Sequence, residues 1–375
     1  MPNHREFLNT KYFTSLNGIR CLAVTFVIGF HHNGYYLVQG IKNFGLCPIF
    51  SRGYLGVQLF FVVSGFLITT ILLREKEFHQ TISIKLFYIK RMLRIFPIYY
   101  ALLILYTIII VPLWAPTQLL KEEFYHNLLF YMTYTNNWFV ERSSAIFVFA
   151  WSLATEEQFY LVWPHIVKYF KKWEVVILIA LIVILNQLAN FNVIGHLGFL
   201  SEIQNHFLFR IIRSISTPIC FGALLAFALH SEKIYEKLAV FKPKFASILW
   251  LIVLSFCIYS PEEITSTWNL VICFCMMLFI GSCVYQEKHY LSKILNSKLF
   301  LQVGLVSYGM YLFSFICTYA IRDLFHLMRW GNNPYLEFFA SFILIFVLAN
   351  ISFYYYENRF LLIKKQFQFS KRPVA

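Results

Sequence analysis

Charge is what this chain has least of, and carboxylates above all: 18 Asp and Glu stand among 375 residues, and charged side chains make up 13% of the whole. Soluble domains are roughly a quarter charged and about half apolar. Here 59% of the chain is hydrophobic and the mean hydropathy is +0.62. A water-soluble fold so poor in charge would expose large apolar patches and aggregate, which leaves lipid as the solvent that fits. The 8 cysteines offer no CxxC and no Cys/His spacing, so no metal site is expected. Cys21, Cys220, Cys257, Cys273, Cys275, Cys283 and Cys317 fall in apolar stretches, where cysteine acts as a small hydrophobe; Cys47 has no evident partner. No internal repeat, low-complexity tract or soluble domain is legible, and the opening Asn3-His4-Arg5-Glu6 is unlike a cleavable signal peptide.

What the chain does have is a series of apolar stretches of roughly 20 residues, the length that crosses a ~30 Å hydrocarbon core. They predict spans near 15–37, 53–73, 95–114, 146–167, 174–190, 208–229, 245–260, 267–284, 300–320 and 336–356. The stretches are too long and too uniformly apolar for the alternating strands of a barrel. The fold class predicted is therefore all-α: a polytopic integral membrane protein of about ten transmembrane helices. With the N-terminus inside, Lys and Arg cluster on one side: Arg74, Lys76, Lys90, Arg91, Arg94, Lys168, Lys171, Lys233, Lys288 and Arg359 among others. That bias predicts both termini cytoplasmic. The +14 net charge is then mostly a topology signal of loops lying on anionic lipid, and no nucleic-acid partner is expected.

Ionisable groups inside a span cost several kcal/mol and mark candidate functions. Arg20 and His31 share the first span, eleven residues apart, which brings them within about 20° of one helix face and about 16 Å apart along the axis. A cation and an imidazole so placed read as two stations of one pathway, with histidine the side chain suited to moving a proton near neutral pH. The plainer alternative is a snorkelling Arg and an interfacial His; His32 points about 100° away and is weaker. Arg91 and Arg94 share a face by their i, i+3 spacing and suit bidentate phosphate binding, or else simple positive-inside anchoring. In Trp151-Ser152-Leu153-Ala154-Thr155-Glu156-Glu157, residues Ser152, Glu156, Tyr160 and Trp163 form one stripe, and at most one of the adjacent Glu pair is expected to enter the bundle. An interfacial aromatic belt with solvated Glu is the alternative. Ser64-Gly65, set among Phe residues, reads first as a close-packing site between helices.

Together these segments resemble the acyltransferase-3 family of bacterial membrane acyltransferases. The resemblance starts at Leu16-Asn17-Gly18-Ile19-Arg20 and runs to His31, an Arg-x10-His element. It continues through Gly53-Tyr54-Leu55-Gly56, Phe60-Phe61-Val62-Val63-Ser64-Gly65, Lys90-Arg91-Met92-Leu93-Arg94 and the Trp151 to Pro164 block. Ser307-Tyr308-Gly309-Met310-Tyr311 and Tyr356-Glu357-Asn358-Arg359 resemble the closing motifs. The family implies a single membrane acyltransferase domain over 1–375, with spans within 15–356, in the bacterial cytoplasmic (inner) membrane. It implies acyl transfer, commonly of acetyl from acetyl-CoA, to a hydroxyl of an envelope carbohydrate such as lipopolysaccharide O-antigen, capsule, exopolysaccharide, peptidoglycan or a small glycoside. By the same resemblance His31 is the catalytic histidine, Arg20 its partner, Glu156 the acidic position, and Arg91 and Arg94 the RxxR element that meets the acyl-CoA. Two departures stand out: Leu312-Phe313-Ser314 where many members carry Leu-Trp-His, and Cys21 where glycine is usual. The SGNH hydrolase-like domain fused to some members is not expected here, and any partner protein is unknown. A transporter or flippase, or a catalytically silent partner in polysaccharide export, is the alternative reading.

Overall fold

The computed structural model describes residues 4–38, 48–115, 117–140, 146–190, 207–330 and 333–367. Cys47 and most of the stretch between the expected spans 174–190 and 208–229 lie outside them. Among the described residues the chain is helical and has no strand. In chain order the principal helices are α1 (Thr14–Val38), α2 (Leu55–His79), α3 (Ile84–Trp114), α4 (Ala150–Tyr169), α5 (Lys172–Asn190), α6 (Thr217–Leu229), α7 (Ala246–Tyr259), α8 (Ser266–Tyr285), α9 (Lys298–Leu305), α10 (Ser307–Leu327) and α11 (Pro334–Gln366). A short helix, His4–Asn9, precedes α1.

Five helices, α2, α3, α5, α8 and α11, are long and apolar enough to cross a membrane, and α9 with α10 makes a sixth if the bent pair is one span. The protein is thus a multi-pass membrane protein on five or six such helices. Each of the ten expected windows falls on a helix or a helix pair, but not all pass the same test, for physical reasons. Helices α6 and α7 are short, at 13 and 14 residues. At 25 and 20 residues α1 and α4 are long enough but diluted by polar side chains: Asn17, Arg20, His31 and His32 on one, Glu156, Glu157 and Lys168 on the other.

Two expected spans are interrupted. The window 208–229 divides into Phe207–Ser214 and α6, because Pro218 at the start of α6 has no N–H with which to continue a helix from upstream. The window 300–320 is broken by a 73° bend. Val306 leaves helical geometry there, and the Ser307 hydroxyl donates to the Gly304 carbonyl at 2.8 Å, satisfying one acceptor that the break sets free.

The outward surface explains the choice of solvent. On α11, Phe339, Ile343, Val347 and Ile351 are all exposed, one per turn, and α5 exposes Ile177, Leu181, Ile184 and Leu188. Water would penalise such stripes and hydrocarbon does not. Inside, α2 and α6 pack backbone to backbone: a Cβ on Gly65 would run into the Ile219 carbonyl, and one on Gly222 into that of Val62. Gly65 therefore has the packing role read from its sequence. The α2–α6 contact, with α1 laid against α9, fixes the frame on which the site is built.

Candidate active site

A cavity of about 290 Å³ lies between α1, α2, α3, α4 and the bend of α9 into α10. It follows α2 from Val57 to Arg74, and Lys11, Tyr12 and Phe13 close one end. Five cations (Lys11, Arg20, Arg74, Arg91 and Arg94) face it against one carboxylate, Glu156, a formal excess of four positive charges. In low-dielectric surroundings such an excess selects for anions, and guanidinium forks suit phosphate.

Each wall has a local reason. Arg20 follows Asn17 by one turn of α1, and its Nη1 donates to the Asn17 side-chain oxygen at 3.5 Å. Its electrostatic neighbours include Arg94, Tyr160 and Arg91. Arg91 is partly buried, its guanidinium 5.3 Å from the Tyr160 ring centre and 5.7 Å from that of Phe87, so aromatic faces hold the cation in place. Arg94, one turn on, is exposed. Glu156 accepts from the Tyr160 hydroxyl at 3.2 Å, and Tyr160 also hydrogen-bonds the Ser64 hydroxyl. Arg20 and Arg91 lie within electrostatic range of Glu156, yet among the described residues no ion pair joins them. The positive wall is therefore left for an incoming group.

The stripe Ser152, Glu156, Tyr160 faces the cavity, while Trp163 instead donates its indole N–H to the Thr69 hydroxyl at 2.8 Å. The expectation for the adjacent glutamates needs correction. Both enter the protein interior: Glu156 lines the cavity, and Glu157 turns toward Tyr99, Tyr100, Tyr134 and Tyr308, with its Oε1 buried and without a hydrogen-bond partner among the described residues. The 100° between neighbours on a helix separates their directions, but α4 is enclosed on both of those sides.

His31 is not part of the cavity lining. It sits one turn of α10 beyond it. Tyr311, at the cavity's end, hydrogen-bonds Ser152 at 2.7 Å and the Phe149 carbonyl at 3.0 Å, and Ser314, three residues on, meets His31 Nδ1 at 3.2 Å. The Phe315 ring lies 4.3 Å from the imidazole, centre to centre. The structure thus gathers Arg20, Arg91, Arg94 and Glu156 around one space and leaves His31 outside its lining, held by Ser314 one turn of α10 from Tyr311.

Reading the sequence by charge alone gave Tyr12, Tyr308 and Tyr311 no place at the cavity and took Arg74 only as a topology signal. Tyr308 and Tyr311 are separated by the spacing that puts two side chains on one face, which was a usable signal. Arg74 gave none: its Nη1 and Nη2 donate to the Thr10 and Phe7 carbonyls at 2.6 and 2.8 Å, and Phe7 and Phe13 flank it. It pins the segment before α1 across the cavity's end.

Residues 13–354 match the family described as an acyltransferase domain. Over 331 residues the chain is 27% identical to the peptidoglycan O-acetyltransferase OatA of Listeria monocytogenes, a match covering 81% of this chain and 49% of that protein. It is 25% identical over 376 residues to the O-acetyltransferase OatA of Staphylococcus aureus, 94% of this chain and 58% of the relative. The chain therefore spans between about half and three fifths of the length of the curated relatives it matches. No solved structure matches it. A family match over nearly the whole helical bundle, meeting a cavity walled by the arginines of the Arg-x10-His and RxxR elements, leads to one conclusion: this chain belongs to the acyltransferase-3 family.

Proposed function

We propose that the chain is a membrane O-acyltransferase that moves an acetyl group from cytoplasmic acetyl-CoA to a hydroxyl of an envelope carbohydrate. In this reading residues 1–375 act as one membrane domain of about ten transmembrane helices in the bacterial cytoplasmic (inner) membrane, with both termini cytoplasmic. The observation that carries it is the strongly positive cavity, with His31 held by Ser314 one helical turn from the cavity-lining Tyr311. Phosphates of the donor lie against Arg91 and Arg94, and its thioester end points along the cavity toward Tyr311 and Ser152. His31 takes the proton of the acceptor hydroxyl as that oxygen attacks the thioester carbonyl carbon. The C–S bond breaks, the acetyl ester forms, and CoA leaves as the thiolate and is reprotonated. Arg20 stabilises the oxyanion that develops at the carbonyl, and Glu156 balances the arginine wall and orients Tyr160. Transient acylation of His31 itself is the variant of the same scheme.

The Listeria relative's name supplies the first acceptor to test, a peptidoglycan sugar, beside lipopolysaccharide O-antigen, capsule and exopolysaccharide. The test is mass spectrometry of envelope glycans from cells with the wild-type protein, with His31→Ala, or with neither. An alkali-labile acetyl increment seen only with wild type supports the reading and identifies the acceptor. Identical glycans in all three, with the protein folded in the membrane, overturn it in favour of a transporter or a silent export partner.

A further inference from the structure

The departure at Ser314 leads to an inference about His31, and it rests on the reading of His31 as the base. We propose that Ser314 is the positioning residue that fixes His31 as its Nδ1–H tautomer, leaving Nε2 as the atom that takes the acceptor's proton.

Hydrogen counting makes the argument. Ser314 is fully buried on α10, so water does not complete its hydrogen bonds. Its hydroxyl carries one hydrogen and meets two partners: the Tyr311 carbonyl oxygen at 2.7 Å and His31 Nδ1 at 3.2 Å. A carbonyl only accepts, so the Tyr311 contact takes the hydroxyl hydrogen, and Ser314 Oγ has only lone pairs left to offer the ring. Nδ1 must then be the donor. The opposite arrangement, with Ser314 donating to Nδ1, would leave two oxygens 2.7 Å apart with no hydrogen between them, a repulsive contact in a dry site.

The ring's other faces agree. Phe315 packs at 4.3 Å and limits rotation of the imidazole. Nε2 has no hydrogen-bond partner among the described residues, and His31 is partly buried, so that nitrogen keeps its lone pair for an incoming hydroxyl. The adjacent His32 is set the other way: its Nε2 meets the Pro334 carbonyl at 3.0 Å, which only a ring N–H can satisfy. Two neighbouring histidines are thereby held in opposite tautomers, and of the two only His31 presents Nε2 as a base.

The experiment is nitrogen NMR of the full chain in lipid with 15N-labelled histidine rings, with the His31 signals assigned by their loss in His31→Gln. Wild type is expected to show Nδ1 protonated and Nε2 bare. In Ser314→Ala the two tautomers mix, and Ser314→Thr, whose hydroxyl can keep the bond back to the preceding turn, restores the single form. In acetyl-transfer assays of the same membranes, Ser314→Ala lowers kcat about tenfold, the worth of one buried hydrogen bond, with the KM for acetyl-CoA unchanged. Ser314→Thr recovers most of that loss. A wild-type ring protonated at Nε2 overturns the proposal, as does Ser314→Ala with an unaltered tautomer. If His31→Ala still transfers acetyl, the catalytic reading of His31 fails independently, while the NMR result still decides whether Ser314 sets the tautomer.

Discussion

Removing the two arginines of the cavity wall one at a time should produce unequal losses, and the inequality follows from their surroundings. A charged hydrogen bond to a phosphate contributes roughly 1.5–3 kcal/mol where it is sheltered. Arg91 is partly buried and clasped by the rings of Tyr160 and Phe87, so little freedom is lost when it binds. A loss of about 2 kcal/mol in Arg91→Ala corresponds to a KM for acetyl-CoA raised about 30-fold. Arg94 is exposed and screened by solvent, so Arg94→Ala is worth about 0.5–1 kcal/mol, a rise of about two- to fivefold. Arg91→Lys keeps the charge but loses the fork and the stacking, and falls between, at about tenfold. Because these contacts act on the donor's phosphates, remote from the reacting carbonyl, kcat should hold within about twofold. The assay is radiolabelled acetyl transfer in inverted membrane vesicles, with acetyl-CoA varied at saturating acceptor. Equal effects at the two positions, or a fall in kcat at constant KM, would refute the assignment of this wall to donor binding.

Three further outcomes follow from the same geometry. Glu156→Gln keeps the contact with Tyr160 but removes the one carboxylate that lines the cavity among the described residues, so kcat should drop at least about tenfold while the donor KM stays level or falls; an unchanged kcat would remove Glu156 from the chemistry. Gly65→Ala forces a methyl against the Ile219 carbonyl, which overpacking prices at about 1–3 kcal/mol, so the thermal unfolding midpoint in detergent should fall by several degrees, and an unshifted midpoint would show that α2 and α6 are free to separate. His289, outside the spans and buried against Ser15, is held down to about 4 by burial. The unfolded chain takes up its proton near pH 6.5 and the folded one does not, so stability is lost as pH falls from about 6.5 to 4, on the order of 3 kcal/mol. His289→Gln should flatten that dependence, and an identical slope in the variant would assign the acid sensitivity elsewhere.

The membrane character and the residues around the cavity were legible because lipid makes charge conspicuous: in so apolar a chain Arg20, Arg91, Arg94 and Glu156 stand out without any structure. The same contrast misleads about helices. Helices α1 and α4 are long, but the polar side chains they carry dilute their apolarity, whereas α2 and α3 wall the same cavity and stay apolar enough to pass. The break at Val306 was invisible because neither Pro nor a Gly pair marks it, and only the Ser307 hydroxyl's turn onto Gly304 reveals it. Arg20 lines the cavity and His31, eleven residues on, does not; His31 meets Ser314 of α10 instead, and no local pattern encodes a side chain that arrives from nearly three hundred residues away. Glu157 shows the same limit: periodicity fixes the angle between neighbours but not which angles the rest of the protein will cover.

The lining of the cavity has a consequence for biosynthesis. Its residues run from Lys11 near the beginning of the chain to Tyr311 near its end. A ribosome feeding helices into the bilayer therefore delivers the arginines of α1 and α3 long before the tyrosines of α10 exist to enclose them. Until α10 is inserted, those cations face a partial bundle that lacks the wall carrying Ser307, Tyr308 and Tyr311. Enclosure of the site is then a late step of insertion, completed only when α10 arrives.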